Sequence, residues 1–132
     1  MPAGHFWTAL WLMPDADICW PKGGEVDILE SDIWGQQPPY EPHAAYHWAH
    51  PSDSCSSDAS GNKDGTAEKS PKGYDFSKAF HTYSAELTPR SITYAVDGVP
   101  YYTVTSADAE ANLPHTPMYL IMGNRKCLST QT

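Results

Sequence analysis

Apolar and polar residues alternate along this chain in short bursts set between turn-forming residues. FWTALWLM (6–13) is an apolar run that stops at Pro14, and EVDILE (25–30) follows after a turn-rich gap. AAYHWAH (44–50), HTYSAELT (81–88), SITYAVDG (91–98), VPYYTVT (99–105) and MYLIM (118–122) are further short segments. HTYSAELT, SITYAVDG and VPYYTVT are rich in Tyr, Thr, Val and Ile, the residues that suit a pleated, half-buried surface. Asp97-Gly98, between two of these runs, signals a tight hairpin. Residues 51–73 are polar and aperiodic, and are expected to form a solvated loop. Only SADAEAN (106–112) has a helical pattern, for a turn or two. Twelve prolines and nine glycines punctuate the whole. Many short strands with turns between them predict an all-β sandwich, and without a repeat or linker residues 1–132 read as a single domain.

Inside this pattern GEVDILES (24–31) is anomalous, because it sets three carboxylates among the apolar residues of a buried strand. Like charges this close repel and push at least one pKa upward. On a helix, at about 100° per residue, positions 25, 27 and 30 share no narrow face. On a regular strand Glu25 and Asp27 point the same way and Glu30 the other. A β-bulge at Ile28-Leu29 returns Glu30 to the face of the other two. Glu25 and Glu30 would then stand about 13 Å apart at their Cα atoms, at ~3.3 Å per strand residue. Two Glu side chains leaning together could approach the about 5–5.5 Å carboxyl separation of a retaining glycosidase. The bland alternative is an edge strand protected by exposed acids. An EF-hand calcium loop is excluded by the lack of Asp/Asn alternation and a central Gly. His43, His47 and His50 would share a helical face suited to a metal, but on a strand His43 and His47 share a face and His50 does not.

Composition narrows the partners. The formal charge is -8 and no basic stripe offsets it, which argues against nucleic acid. No apolar run approaches the ~20 residues of a membrane-spanning helix. Trp7, Trp11, Trp20, Trp34 and Trp48 all fall in the first half, either as core or as flat surfaces for sugar rings. Cys19, Cys55 and Cys127 make an odd set without a CxxC pair. That suits neither a disulfide framework nor a thiolate zinc site, and leaves one disulfide, such as Cys19–Cys55, open.

Several segments, in order, resemble glycoside hydrolase family 16, and the laminarinase-like endo-β-1,3(4)-glucanases in particular. GEVDILES is similar to the family's bulged acidic strand, and GHFWTALWLMP (4–14) to its Trp-bearing strand, with Thr8 where Pro is usual. Trp20-Pro21, Tyr46-His47-Trp48 and FHTYSAELTPRSITYAVDG (80–98) match further segments, with Leu87 replacing a Trp. The resemblance implies a concanavalin A-like jelly roll of two antiparallel sheets with a substrate cleft across one of them. It implies Glu25 as nucleophile, Glu30 as acid/base with a raised pKa, and Asp27 assisting. Trp7, Trp20 and Trp34 would line subsites, His47 would lie near the acid/base, and Trp11 falls to the core. The implied protein is a secreted monomer that acts on β-glucan without metal or cofactor. An agarase or carrageenase of the same family, a non-catalytic sugar-binding sandwich and an inactive fragment are the alternatives. The unbulged spacing of xyloglucan transglycosylases does not fit. MPAG (1–4) and the residues after Met122 lead to the expectation of a sandwich incomplete at both ends.

Overall fold

The computed structural model describes residues 6–31, 41–49, 65–69, 71, 75–109 and 112–126. These form strands β1 (Phe6–Pro14), β2 (Glu25–Ser31), β3 (Pro42–Trp48), β4 (Gly65–Lys69), β5 (Tyr83–Thr88), β6 (Ser91–Val96), β7 (Val99–Thr105) and β8 (Met118–Lys126). One sheet has the order β4-β3-β2-β1-β8 and the other β5-β6-β7. All neighbouring strands are antiparallel.

The core lies where the small sheet covers the middle of the large one. Val26, Ala44, Tyr46 and Trp48 from β2 and β3 meet Ile92 and Tyr94 of β6 and Val104 of β7. Leu12 and Met118 pack at its margin. Tyr46 and Trp48 stack with ring centroids 5.6 Å apart. The buried Tyr94 hydroxyl donates to the Ala45 carbonyl across the two sheets at 2.7 Å, so its polar tip is satisfied where water is excluded. Burial drives the Tyr46 and Tyr94 phenols far above their usual pKa, and both stay neutral.

The Asp97-Gly98 hairpin is as the sequence suggests, with φ of 50° and 77°, the doubly left-handed geometry of a type I′ turn. The Thr82 N–H donates to Asp97 Oδ1 at 2.8 Å, and His81 Nδ1 lies 2.7 Å from Oδ2. These contacts tie the start of β5 to the turn.

Two expectations need correction. The stretch 51–73 contains β4, which pairs with β3 through Ala44↔Lys69 to Trp48↔Gly65. An edge strand is held by backbone hydrogen bonds on one side, so a polar sequence such as GTAEK gave no periodic signal. Residues 106–109 form a turn rather than a helix. Asp108 accepts from the Thr105 N–H and hydroxyl at 2.8 and 2.7 Å, and the chain then runs on to the buried Leu113.

Candidate active site

The acidic strand carries the anticipated bulge. Glu25 pairs with His47, Asp27 with Ala45 and Glu30 with His43, so three steps along β2 match two along β3. On the other side Trp11 pairs with Asp27 and Leu10 with Leu29, leaving Ile28 as the inserted residue. Positions 43, 45 and 47 share one face of β3, so the acids opposite them share one face of β2. That face points away from the small sheet, because Val26 and Tyr46 on the other face enter the core.

Turn geometry brings the first aromatic group to this face. Gly24 has a φ of 80°, and a Cβ there would come within 2.8 Å of the Tyr46 hydroxyl, so glycine is needed at the entry to β2. The preceding turn, with a cis Trp20-Pro21 bond, is closed by Lys22 N–H to the Cys19 carbonyl and Gly24 N–H to the Pro21 carbonyl. It directs the Trp20 indole N–H onto Glu25 Oε2. Trp20 is 47% exposed and its ring centroid lies 6.0 Å from that of His47, an open aromatic surface beside the first acid. Trp7 on β1 donates its indole N–H to Glu30 Oε1 at 3.0 Å. Ser31 Oγ fixes the backbone on both sides of Trp7, accepting from the Thr8 N–H and donating to the Phe6 carbonyl, each at 2.7 Å.

Histidines complete the cluster. His47 Nε2 lies 3.0 Å from Oδ2 of the buried Asp27, an ion-pair distance. His43 Nε2 lies 3.3 Å from Glu30 Oε2. Glu25, Asp27 and His47 bring three donor atoms within 4.8 Å of one another. That spacing could ring an ion, but it is equally the spacing of a carboxylate pair held by one imidazole.

The electrostatics separate the two glutamates. Burial and then the charge of Asp27 push the Glu25 carboxyl up, against the Trp20 N–H and the charge of His47. Asp27 is raised chiefly by burial, opposed by His47 and reinforced by the charge of Glu30. His47 is raised by Asp27, which outweighs its own burial. Glu30 goes the other way. Burial would lift it, but the hydrogen bond and charge of His43, with the Trp7 N–H and the charge of His47, hold it below the usual Glu range.

Several sequence expectations change here. Glu30 was expected to be raised by burial and neighbouring carboxylates; burial does act to raise it, but His43, Trp7 and His47 together outweigh it. His43, rather than His47, touches Glu30, because the bulge places position 30 opposite position 43. Trp11 shares the face of Trp7 and Asp27 instead of entering the core, since Leu12 occupies the core side of β1. His43, which the sequence reading weighed only as a metal ligand, and Ser31, which it did not single out, are further residues of the site. Counting back from a Glu25↔His47 pair across the bulge would have found the first. Trp34 lies outside the described residues, as do His50, Cys55 and Cys127. Cys19 is disulfide-bonded.

These shifts have a consequence for stability. Asp27 holds its proton in the fold above the ordinary Asp value of 3.8, so native stability declines as pH rises from there through its folded pKa. The contribution of His47 is full below its ordinary value of 6.5 and is lost as pH rises through its raised folded pKa, which adds to the decline. Asp27→Asn is therefore expected to stabilise the chain at pH 8 by about 0.5–2 kcal/mol, as substitutions at strained sites commonly do. The gain should shrink at pH 5. Thermal melts at both pH values check this, and a lower melting temperature for the variant at pH 8 would contradict it.

The chain is similar in sequence and fold to known proteins. Residues 3–130 match the family model described as Glycosyl hydrolases family 16. A glucan endo-1,3-beta-glucosidase of Cryptopygus antarcticus is 30% identical over 106 residues, covering 78% of this chain and 36% of that protein. A beta-glucanase of Rhodothermus marinus is 28% identical, covering 92% of this chain and 43% of that one. The solved laminarinase from Rhodothermus marinus superposes with a TM-score of 0.70 at 27% identity, over 93% of this chain and 49% of that structure. The chain thus spans less than half the length of the curated relatives it matches. With the family model matched over almost its whole length, it belongs to glycosyl hydrolases family 16.

Proposed function

We propose that this chain carries the catalytic carboxylates of an endo-acting, retaining hydrolase of β-1,3- or mixed β-1,3/1,4-glucan. One observation carries the reading: Glu25, Asp27 and Glu30 share a face across a bulge, and an indole N–H binds each of the two glutamates. Glu30 protonates the leaving oxygen while Glu25 attacks the anomeric carbon, and water deprotonated by Glu30 then releases the sugar. Asp27, shared with His47, controls how readily Glu25 ionises. Trp20 and Trp7 offer indole surface to sugar rings on either side of the bond that is cut. The disulfide at Cys19 fits an oxidising, extracellular setting.

A second reading exchanges the two glutamates. It is favoured by the opposite directions of their pKa values, since Glu25 holds its proton more tightly than Glu30 in the open site. Either way the substrate class is tested by a reducing-sugar assay on laminarin, lichenan, agarose and κ-carrageenan. The assay uses this chain and a version extended at both ends to the length of its relatives. Release from laminarin or lichenan is expected. Release confined to agarose or carrageenan would reassign the substrate, and no release by the extended version would overturn the enzyme reading.

A further inference from the structure

His47 is engaged by Asp27, which leaves its neighbour on the same face of β3 without a role in the reaction as proposed. The His43 and Glu30 side chains are 18% and 21% exposed, and Nε2 stands 3.3 Å from Oε2. Trp7 holds the other oxygen from β1. Each oxygen of Glu30 therefore meets one ring nitrogen, from the strands on either side of β2.

The two nitrogens differ in kind. An indole N–H can only donate, whereas an imidazole nitrogen either donates or accepts. With Glu30 ionised, His43 Nε2–H donates to Oε2. With Glu30 protonated on Oε2, the same line runs the other way, from O–H to the Nε2 lone pair. One proton serves both forms, and no side chain has to move. Among the described residues, the other titratable groups near Glu30 are Asp27 and Glu25 on β2 and His47 on β3. From β1, Trp7 and Ala9 bring none.

We propose that His43 is a positioning residue that shares the catalytic proton of Glu30, keeping the supply of protonated Glu30 level across mildly acidic to neutral pH. This rests on the hydrolase reading above. Between the loss of the first and the second proton from such a pair, the fraction with the proton on Glu30 is constant. A lone Glu30 would lose its acid form progressively over the same range. The low position of Glu30 agrees with a resting pair whose proton sits mainly on His43. In the first step the proton passes from Oε2 to the leaving oxygen. In the second step Glu30 takes one from the attacking water, and the pair is restored.

The test has two arms. Carbon-13 NMR of the Glu30 carboxyl in this chain should show its titration midpoint moving upward in His43→Gln, because the cationic neighbour is gone. If that variant misfolds, nitrogen-15 NMR of the wild-type chain replaces it: His43 Nε2 and the Glu30 carboxyl should each respond to both titration steps. In the extended enzyme, the alkaline limb of kcat/KM should move to lower pH in His43→Gln. The variant profile should fall where the wild type is level and meet it again at high pH. A uniform loss of rate with unmoved limbs would reduce His43 to a structural support and overturn the proposal. An unmoved Glu30 midpoint overturns it whatever the activity. A pair that titrates as described in a protein that cleaves no glycan overturns the proposed function instead.

Discussion

Glu25→Ala in the extended enzyme is expected to lose glucan hydrolysis by on the order of 10⁶-fold, as removal of a nucleophile does elsewhere. Given azide and a β-glycoside with an activated leaving group, it should form the α-glycosyl azide. The reason is steric and stereochemical together. The truncated side chain opens space below the ring, Glu30 remains to assist departure, and a single displacement inverts the anomeric centre. Glu30→Ala keeps the nucleophile and lacks the base for the second step. Azide needs no deprotonation, so it attacks the covalent intermediate and gives the β-glycosyl azide after two inversions. The opposed pKa directions of the two glutamates make this more than a formality. If Glu25 were the proton donor, the two anomers would be exchanged. Proton NMR of the anomeric signals from both variants decides between the assignments, and the same anomer from both would exclude the double displacement.

How much of this was legible in the sequence depends on the range of the forces involved. The bulge was, because the parity of positions 25, 27 and 30 admits one face only if a residue is inserted, and apolar Ile28 and Leu29 can take the irregularity. The Asp97-Gly98 turn was, because its geometry is local. Strand β4 was not, since its partner is the backbone of β3 and its side chains carry no pattern. Trp11 shows the limit of alternation: period two says that Trp7, Ala9 and Trp11 share a face, but only the packing of Leu12 says which face is the core. The charge state of Glu30 was least accessible. It is lowered against burial by His43, thirteen residues away, with Trp7 and His47, through a register that no single segment encodes.

The chain by itself is expected to melt broadly and at low temperature, and to aggregate on heating, because the described residues leave part of the large sheet's core-side face uncovered. Leu120 lies opposite Leu12, and Met122 opposite Leu10, so all four point to the core side of the sheet. Leu12 and Met118 reach the core, but the small sheet stops short of Leu120 and Met122, which are 52% and 74% exposed. Beside them Leu10, Leu29 and Met122 line a shallow depression of about 370 Å³. Covering such side chains is worth about 1–2 kcal/mol each for partial burial, a large fraction of a small domain's net stability. The expectation of a monomer therefore applies to a covered sheet, whereas a bare apolar face favours self-association. Met122→Lys separates these effects. In this chain it should suppress aggregation without lowering the melting temperature, since the side chain has little to lose. In the extended version, whose added chain is expected to cover the face, it should cost about 1–3 kcal/mol by burying a charge or forcing the cover away. Calorimetry and light scattering on the four proteins test the crossover. A sharp two-state transition for this chain above ~65 °C, the upper end for ordinary mesophilic domains, would mean that the partly covered sheet is already a complete core.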